Sequence, residues 1–165
     1  MTKHALLKRY AEGERDFRGV NLEGVNLSGV NLEGVDLSWS CLREACLSRA
    51  CLRRACLKRA DLEGATLRRA TLRRAYLPGA TLRWACLEEA CLEGATLRRA
   101  CLEDACLEGA DLRGANLLGA TLCNATIDGA VLDSYDIGGP GHILCALTTE
   151  EWAWVKKHRG EASDD

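Results

Sequence analysis

Leucine recurs at every fifth position from Leu22 to Leu122, followed by Ile127 and Leu132, with Phe17 opening the series and Ile137 closing it. Two positions before each stands a second inward candidate: Val20, Val25, Val30 and Val35, then Ser40, then alanine at every fifth position from Ala45 to Ala130. The register holds across 25 units without a slip. A period of five belongs to no single element. On an α-helix five residues turn through about 500°, so successive leucines precess by roughly 140° and share no face. On a continuous strand they would point to opposite sides. The Ala-x-Leu spacing of two is strand-like, and both residues face inward only if the chain turns before the next unit. Each pentad is therefore predicted to be a short extended piece followed by a corner. The residue two after Leu is glycine in 12 units, Gly19, Gly24, Gly29, Gly34 and Gly64 among them, as a turn position favours.

This unit (Ala or Val, then Asp, Asn, Cys or Thr, then Leu and two further residues) resembles the pentapeptide repeat family over about residues 15–139. The resemblance implies an all-β fold: a right-handed quadrilateral parallel β-helix with four pentads in each 20-residue coil. Residues 15–134 would then make about six coils, a rod of roughly 29 Å at the usual strand spacing. Its core would be a leucine ladder beside an alanine ladder, with the larger valines of the first coil filling the end of the rod.

A stacked rod exposes core and unpaired edges at both ends and needs caps. Residues 3–12 read as a short helix with Ala5, Leu6, Leu7 and Tyr10 apolar and Gly13 as its C-cap, so residues 1–14 are assigned to an N-terminal capping helix. Similar leader helices occur in cyanobacterial members of the family, which implies a cyanobacterial-type member. The pattern stops near Gly138-Gly139-Pro140-Gly141, and residues 140–165 are assigned to a C-terminal cap helix and a disordered tail. Thr148 and Glu151 have capping-box spacing, and a helix over about 149–158 would carry Trp152 and Val155 on one side. The plain reading is a hydrophobic lid. The functional reading is an end-to-end homodimer contact, since some family members dimerise through this terminus.

Composition alone points elsewhere. Ala, Glu, Lys, Leu and Arg make up about half of the chain, the signature of a coiled coil or long helix. Sixteen glycines contradict that, because glycine weakens a helix interior by about 1 kcal/mol. The five-residue rule accounts for both facts: Ala and Leu inward, Gly at corners, Arg and Glu in the outward slots. A net charge of −2 gives no global attraction to nucleic acid or anionic membrane. No apolar run approaches the ~18 residues of a membrane span, and the first ten residues lack a signal-peptide core. Ten cysteines without an export signal suggest a reducing compartment, free thiols and a cytoplasmic location.

Eight of the ten cysteines occupy the slot before Leu: Cys41, Cys46, Cys51, Cys56, Cys86, Cys91, Cys101 and Cys106. That slot faces outward in the family's coil, and cysteines five apart fall on different walls, so they encircle the rod without converging on one ion. No Cys-x-x-Cys pair is present, and no metal or other cofactor is expected. Cys86 and Cys106 alone should stack on neighbouring coils, with parallel vectors at about 4.8 Å, a poor geometry for a disulfide. They are the one pair with a conceivable redox role. The three histidines, His4, His142 and His158, lie in the presumed caps without an orienting acid, so no nucleophile–base pair is assigned and no enzyme activity is expected.

Charge is more informative. Residues 43–74 carry a balance of +7 and residues 86–111 a balance of −5. With a 20-residue coil, Arg53-Arg54 stacks on Arg73-Arg74, with Arg68-Arg69 on the wall beside them. Glu88, Glu108 and Asp128 would form an acidic ladder on that neighbouring wall. A second wall exposes Trp39, Tyr76, Pro78 and Leu118, interrupted by Lys58, Arg59, Arg98 and Arg99, and aromatics and Arg are enriched at interfaces. The expected function is a non-enzymatic scaffold presenting rigid, charge-patterned walls to an unidentified protein, as a monomer or C-terminal homodimer, with no membrane and no nucleic acid as partner. The resemblance also implies that some cyanobacterial relatives regulate cell differentiation through protein contacts. A rival class is modulation of a type II topoisomerase such as gyrase, by DNA mimicry or by direct DNA contact through the Arg belt. A basic middle is the wrong sign for mimicry along the full length.

Overall fold

Extended pieces pair with those 20 residues away. In the computed structural model, which describes residues 1–132, parallel bridges join Asp16 to Asp36, Asn21 to Cys41, Asn26 to Cys46 and Asn31 to Cys51, and the same step repeats as far as Asp111 and Val131. Four pentads make one coil, and the coils stack into a four-sided parallel β-helix. The first wall carries Phe17, Leu37, Leu57, Leu77, Leu97 and Leu117. The second, third and fourth follow at five-residue steps from Leu22, Leu27 and Leu32. The C-terminal cap expected over 140–165, with Trp152 and Val155, lies outside the described residues.

One pattern of backbone hydrogen bonds repeats in each pentad. Leu22 N–H donates to the Cys41 carbonyl one coil on (2.7 Å) and Gly24 N–H to that of Arg43 (2.8 Å). Cys41 N–H donates back to Val20 (3.0 Å), and Val25 N–H closes the turn on Leu22 (3.1 Å). The N–H directly after each Leu has no place in this ladder. Where Asn or Asp precedes Leu, its side-chain oxygen accepts that N–H: Asn21 from Glu23 (2.9 Å), Asn26 from Ser28 (2.9 Å), Asp61 from Glu63 (3.1 Å) and Asn116 from Leu118 (3.1 Å). This local bond is the physical reason that short polar residues recur in the slot. The slot is also less outward than the resemblance implied. Its eight cysteines are half-buried, because the slot residues form the inter-coil bridges.

Inside, the Leu at every fifth position from Leu22 to Leu122 and every Ala from Ala45 to Ala130 are buried, with Ser40 buried in the same ladder. Each buried Leu contributes about 1.5–3 kcal/mol of transfer free energy before the entropy of ordering the chain is subtracted. The N-terminal end of the rod is covered by helix α1, Lys3–Ala11, whose first turn is capped by the Thr2 hydroxyl accepting Ala5 N–H (3.2 Å). Leu6 is fully buried, while Met1, Leu7 and Tyr10 pack with Val20 and Val25 against the same core. Val20 and Val25 of the first coil thus share the margin of the core with the helix residues, and the Tyr10 hydroxyl ties helix to rod by donating to the Glu33 carbonyl (2.9 Å).

Corners follow a stricter rule than glycine content suggests. The residue two after Leu has positive φ at each position from 19 to 129, whether it is Gly or one of twelve other residues such as Trp39, Glu44, Arg49 and Arg99. A left-handed conformation costs a residue with a Cβ roughly 1–2 kcal/mol, and the ladder imposes it regardless. Arg49 (φ 59°) and Gly64 (φ +65°) provide a matched test, since a Cβ at Gly64 would meet Glu44 Cγ at an ordinary 3.6 Å. Arg49→Gly should raise stability by about 1 kcal/mol and Gly64→Ala should lower it by about 1 kcal/mol in denaturant melts. Changes of the same sign would contradict the rule.

Candidate functional site

The two residues after each Leu form the corners, and they stack on their counterparts 20 residues away. That register decides which charges meet. Arg43 pairs with Glu63, and Arg68 with Glu88. Arg69 pairs with Glu89 (2.7 Å), Arg73 with Glu93 (2.7 Å) and Arg83 with Glu103 (3.3 Å). Each pair joins an arginine to a glutamate one coil further on. Three arginines of the basic stretch 43–74 thus meet glutamates of the acidic stretch 86–111 within the same columns. The hydrogen bond from Arg69 holds the Glu89 carboxyl below its ordinary pKa, and Arg18 draws that of Asp16 down to about 2.

The predicted belt therefore divides. Arg68, Arg69 and Arg73 are neutralised by glutamates of the next coil, whereas Arg53, Arg54 and Arg74 have no acidic side chain at ion-pair distance among the described residues. Lys58, Arg59, Arg98 and Arg99 are likewise unpaired among the described residues. These seven cations fall on the two corners that border the first wall. Arg53, Arg54 and Arg74 precede its strands, and Lys58, Arg59, Arg98 and Arg99 follow them. Between them Tyr76 is 47% exposed, with Pro78 beside it. Trp39 (56% exposed) stands one coil above Arg59, whose guanidinium lies 4.8 Å from its ring centroid. Leu118, also exposed, marks the other end. The side chains that seemed to interrupt an aromatic wall are its charged frame.

Outside this wall, Trp84 is exposed on the second wall with Arg83 at 4.7 Å from its ring, an aromatic that sequence reasoning did not single out. Its signal was available: Trp84 occupies the same corner slot as Trp39. The eight slot cysteines are free thiols, and Cys86 and Cys106 sit on bridged neighbouring coils. The free-thiol expectation fails at Cys123, which is disulfide-bonded. Hydrogen bonds from Ser28 (2.9 Å) and from the Ser48 backbone and side chain lower the pKa of the Cys46 thiol. Cys91, Glu93 and Asp111 bring three ligand atoms within 4.8 Å of one another. Both carboxylates, however, are held by guanidiniums, Glu93 by Arg73 (2.7 Å) and Asp111 by Arg113 (2.6 Å), so a cation there would have to displace two arginines. No helix of the described residues is long and apolar enough to cross a membrane.

The geometry is that of a repeat solenoid with one wall framed by unpaired cations, and comparison with known proteins gives it a family. The pentapeptide repeat model matches eight copies over residues 16–54, 55–94, 79–114 and 105–134, and the chain belongs to that family. Its members fold as right-handed quadrilateral β-helices, and they are in general structural or interaction proteins rather than enzymes. Among solved structures, the chain is similar to HetL, a pentapeptide repeat protein involved in heterocyst differentiation regulation in the cyanobacterium Nostoc sp. strain PCC 7120. Identity is 33% over 81% of this chain and 78% of that one, with a TM-score of 0.33. Rfr23 from the cyanobacterium Cyanothece 51142 is 30% identical over 79% of this chain and 96% of that one, with a TM-score of 0.31. QnrB1, a plasmid-mediated fluoroquinolone resistance protein, is 24% identical over 76% of this chain and 68% of that one, with a TM-score of 0.32. A comparison with curated proteins finds no match.

The column pairs have a pH signature. A carboxylate whose pKa is depressed by folding stabilises the fold above its ordinary value near 4.3 and loses that contribution as pH falls through the depressed one. Glu89 shifts in this direction through its column partner Arg69, and Asp16 does so through Arg18 of its own pentad. Thermal melts should therefore be level from pH 8 to about 5 and drop below about 4. Arg69→Gln should reduce the size of that acid drop, and an unchanged acid profile in the variant would contradict the pairing.

Proposed function

We propose that this chain is a non-enzymatic interaction module that binds a protein partner through its first wall. The observation that carries the reading is the concentration of seven cations, unpaired among the described residues, on the two corners bordering the wall that exposes Tyr76 and Pro78. At the other corners Arg43, Arg68, Arg69, Arg73 and Arg83 have glutamate partners already in place, and Arg49 stands on Arg69 without one among the described residues. The cations on the first wall are available to a partner without first breaking an internal ion pair. The backbone beneath is fixed by the inter-coil ladder and the leucine core, so binding orders side chains alone and the entropic cost is low. Aromatic and arginine side chains on such a support are the residue types that dominate interface energetics.

A DNA mimic that engages gyrase needs a continuous acidic surface. The first wall is basic, and the acidic residues of the third and fourth walls are partly consumed by arginines. That reading is not favoured. A cytoplasmic location and a monomer or C-terminal homodimer are consistent with the proposed role, which depends on neither.

A photo-crosslinking phenylalanine analogue at position 76 tests the reading, with the same analogue at position 84 as an exposed aromatic control on another wall. In extract of the native host, the probe at 76 should give a discrete protein adduct that the probe at 84 does not. No adduct from 76, or the same adduct from both positions, would overturn it.

A further inference from the structure

Between Lys58-Arg59 and Arg98-Arg99 the same corner carries Pro78 and Gly79, which lack long side chains, and a cavity of about 530 Å³ opens there with Tyr76 on its wall side. Gly79 has φ +66°, and a Cβ added there would press on Arg59 Cγ at 3.4 Å. Glycine thus leaves the notch open and lets the Arg59 stem lie across it, with the guanidinium fixed on Trp39. Two cationic tiers frame the notch, two coils apart, about 9–10 Å along the rod. Neither tier has an acidic partner among the described residues.

Four like charges at this spacing repel one another, and a ligand with two anionic groups at matching separation relieves both tiers together. In a polyproline II helix every third residue returns to the same face after about 9.3 Å, which matches two coil steps of about 4.8 Å. An extended strand returns to the same face after about 6.8 Å and fits worse. Grooves that receive polyproline II segments are lined by aromatic side chains, and here Tyr76 and Pro78 supply the apolar contact between the charges. A DNA duplex presents a charge about every 1.7 Å, or roughly six phosphates over this footprint, against four cations on a chain whose net charge is −2.

We infer that the notch receives an acidic segment of a protein partner in polyproline II conformation, with carboxylates three residues apart, one on each cationic tier. This inference rests on the reading of the first wall as a protein-binding surface and adds the chemistry of what is bound.

Fluorescence anisotropy with the labelled peptide Glu-Pro-Pro-Glu-Pro-Pro-Glu tests it at about 0.15 M salt, where surface charge is screened beyond about 8 Å. Saturable binding is expected, with none for the Gln counterpart. Clustering the same residues as Glu-Glu-Glu-Pro-Pro-Pro-Pro should weaken it by about threefold or more. Lys58→Gln with Arg98→Gln should weaken it by about tenfold or more. Gly79→Gln, which fills the notch without changing charge, should weaken it by about fivefold, since a side chain at that φ is tolerated at twelve other corners. Arg68→Gln with Arg69→Gln, on paired cations, should stay within about twofold. A single cooperative thermal melt establishes that each variant is folded, with that of Gly79→Gln shifted slightly downward by the positive φ as for Gly64→Ala.

Absence of saturable binding, equal affinity for the clustered peptide, or tighter binding of a 12-base-pair duplex would overturn the inference. If peptide binding fails while the position-76 adduct still forms, the acidic segment is wrong and the protein-binding wall stands. Loss of both overturns both.

Discussion

The 20-residue register between coils is the constraint from which the rest of the structure follows. It is held by parallel backbone hydrogen bonds at 2.6–3.1 Å on both sides of each strand piece, as at Leu22 to Cys41 and Cys41 to Val20. The inward Leu and Ala allow one register, because a slip of one residue would turn Leu out and a charged residue in. Once that register is set, each side chain is stacked on its counterparts 20 residues before and after it. Corner conformation, ion-pair partners and the wall on which a residue appears all cease to be independent choices. The cost is visible at the corners. Arg54, Trp84 and Asp104 adopt a left-handed backbone that their own chemistry disfavours, because the ladder fixes φ there regardless of residue type.

Much of this was legible in the sequence, and the limit of legibility is physical. The period of five follows from Leu and Ala alone, since no helix or continuous strand accommodates it. The corner follows from spacing and from glycine. The coil of four pentads does not follow from period five, because a three- or five-sided coil has the same pattern; the family resemblance supplied it. That number in turn governs electrostatics. Read along the chain, residues 43–74 are a basic block and residues 86–111 an acidic one. Read along the columns, Arg68, Arg69 and Arg73 meet Glu88, Glu89 and Glu93. A linear charge count cannot anticipate that cancellation, although a 20-residue offset makes it readable. Cys123, likewise, could not be told from the slot cysteines by compartment reasoning alone.

The proposed function rests on what the columns leave over. Lys58, Arg59, Arg98 and Arg99 were legible as interruptions of an aromatic wall, and their significance lies in the tier between them, where Pro78 and Gly79 interpose neither an acid nor a bulky side chain. The third wall shows the opposite outcome at Arg68 and Arg69, which stand over Glu88 and Glu89, with Arg49 the unpaired cation above them among the described residues. One backbone thus carries corners that neutralise themselves and corners with charge to offer, and for most corner arginines the difference follows from which residue lies 20 positions further on.

The partition between paired and unpaired arginines is the central claim, and arginine reactivity measures it directly. Brief labelling of the folded chain with an arginine-selective dicarbonyl reagent, followed by peptide mass spectrometry, gives a relative rate for each guanidinium. Arg53, Arg54, Arg74, Arg98 and Arg99 should be modified faster than Arg43, Arg68, Arg69 and Arg73, whose donors are engaged by glutamates or aspartates of the next coil. The difference should vanish on unfolding in denaturant. Equal rates in the folded chain, or faster modification of the paired set, would contradict the account.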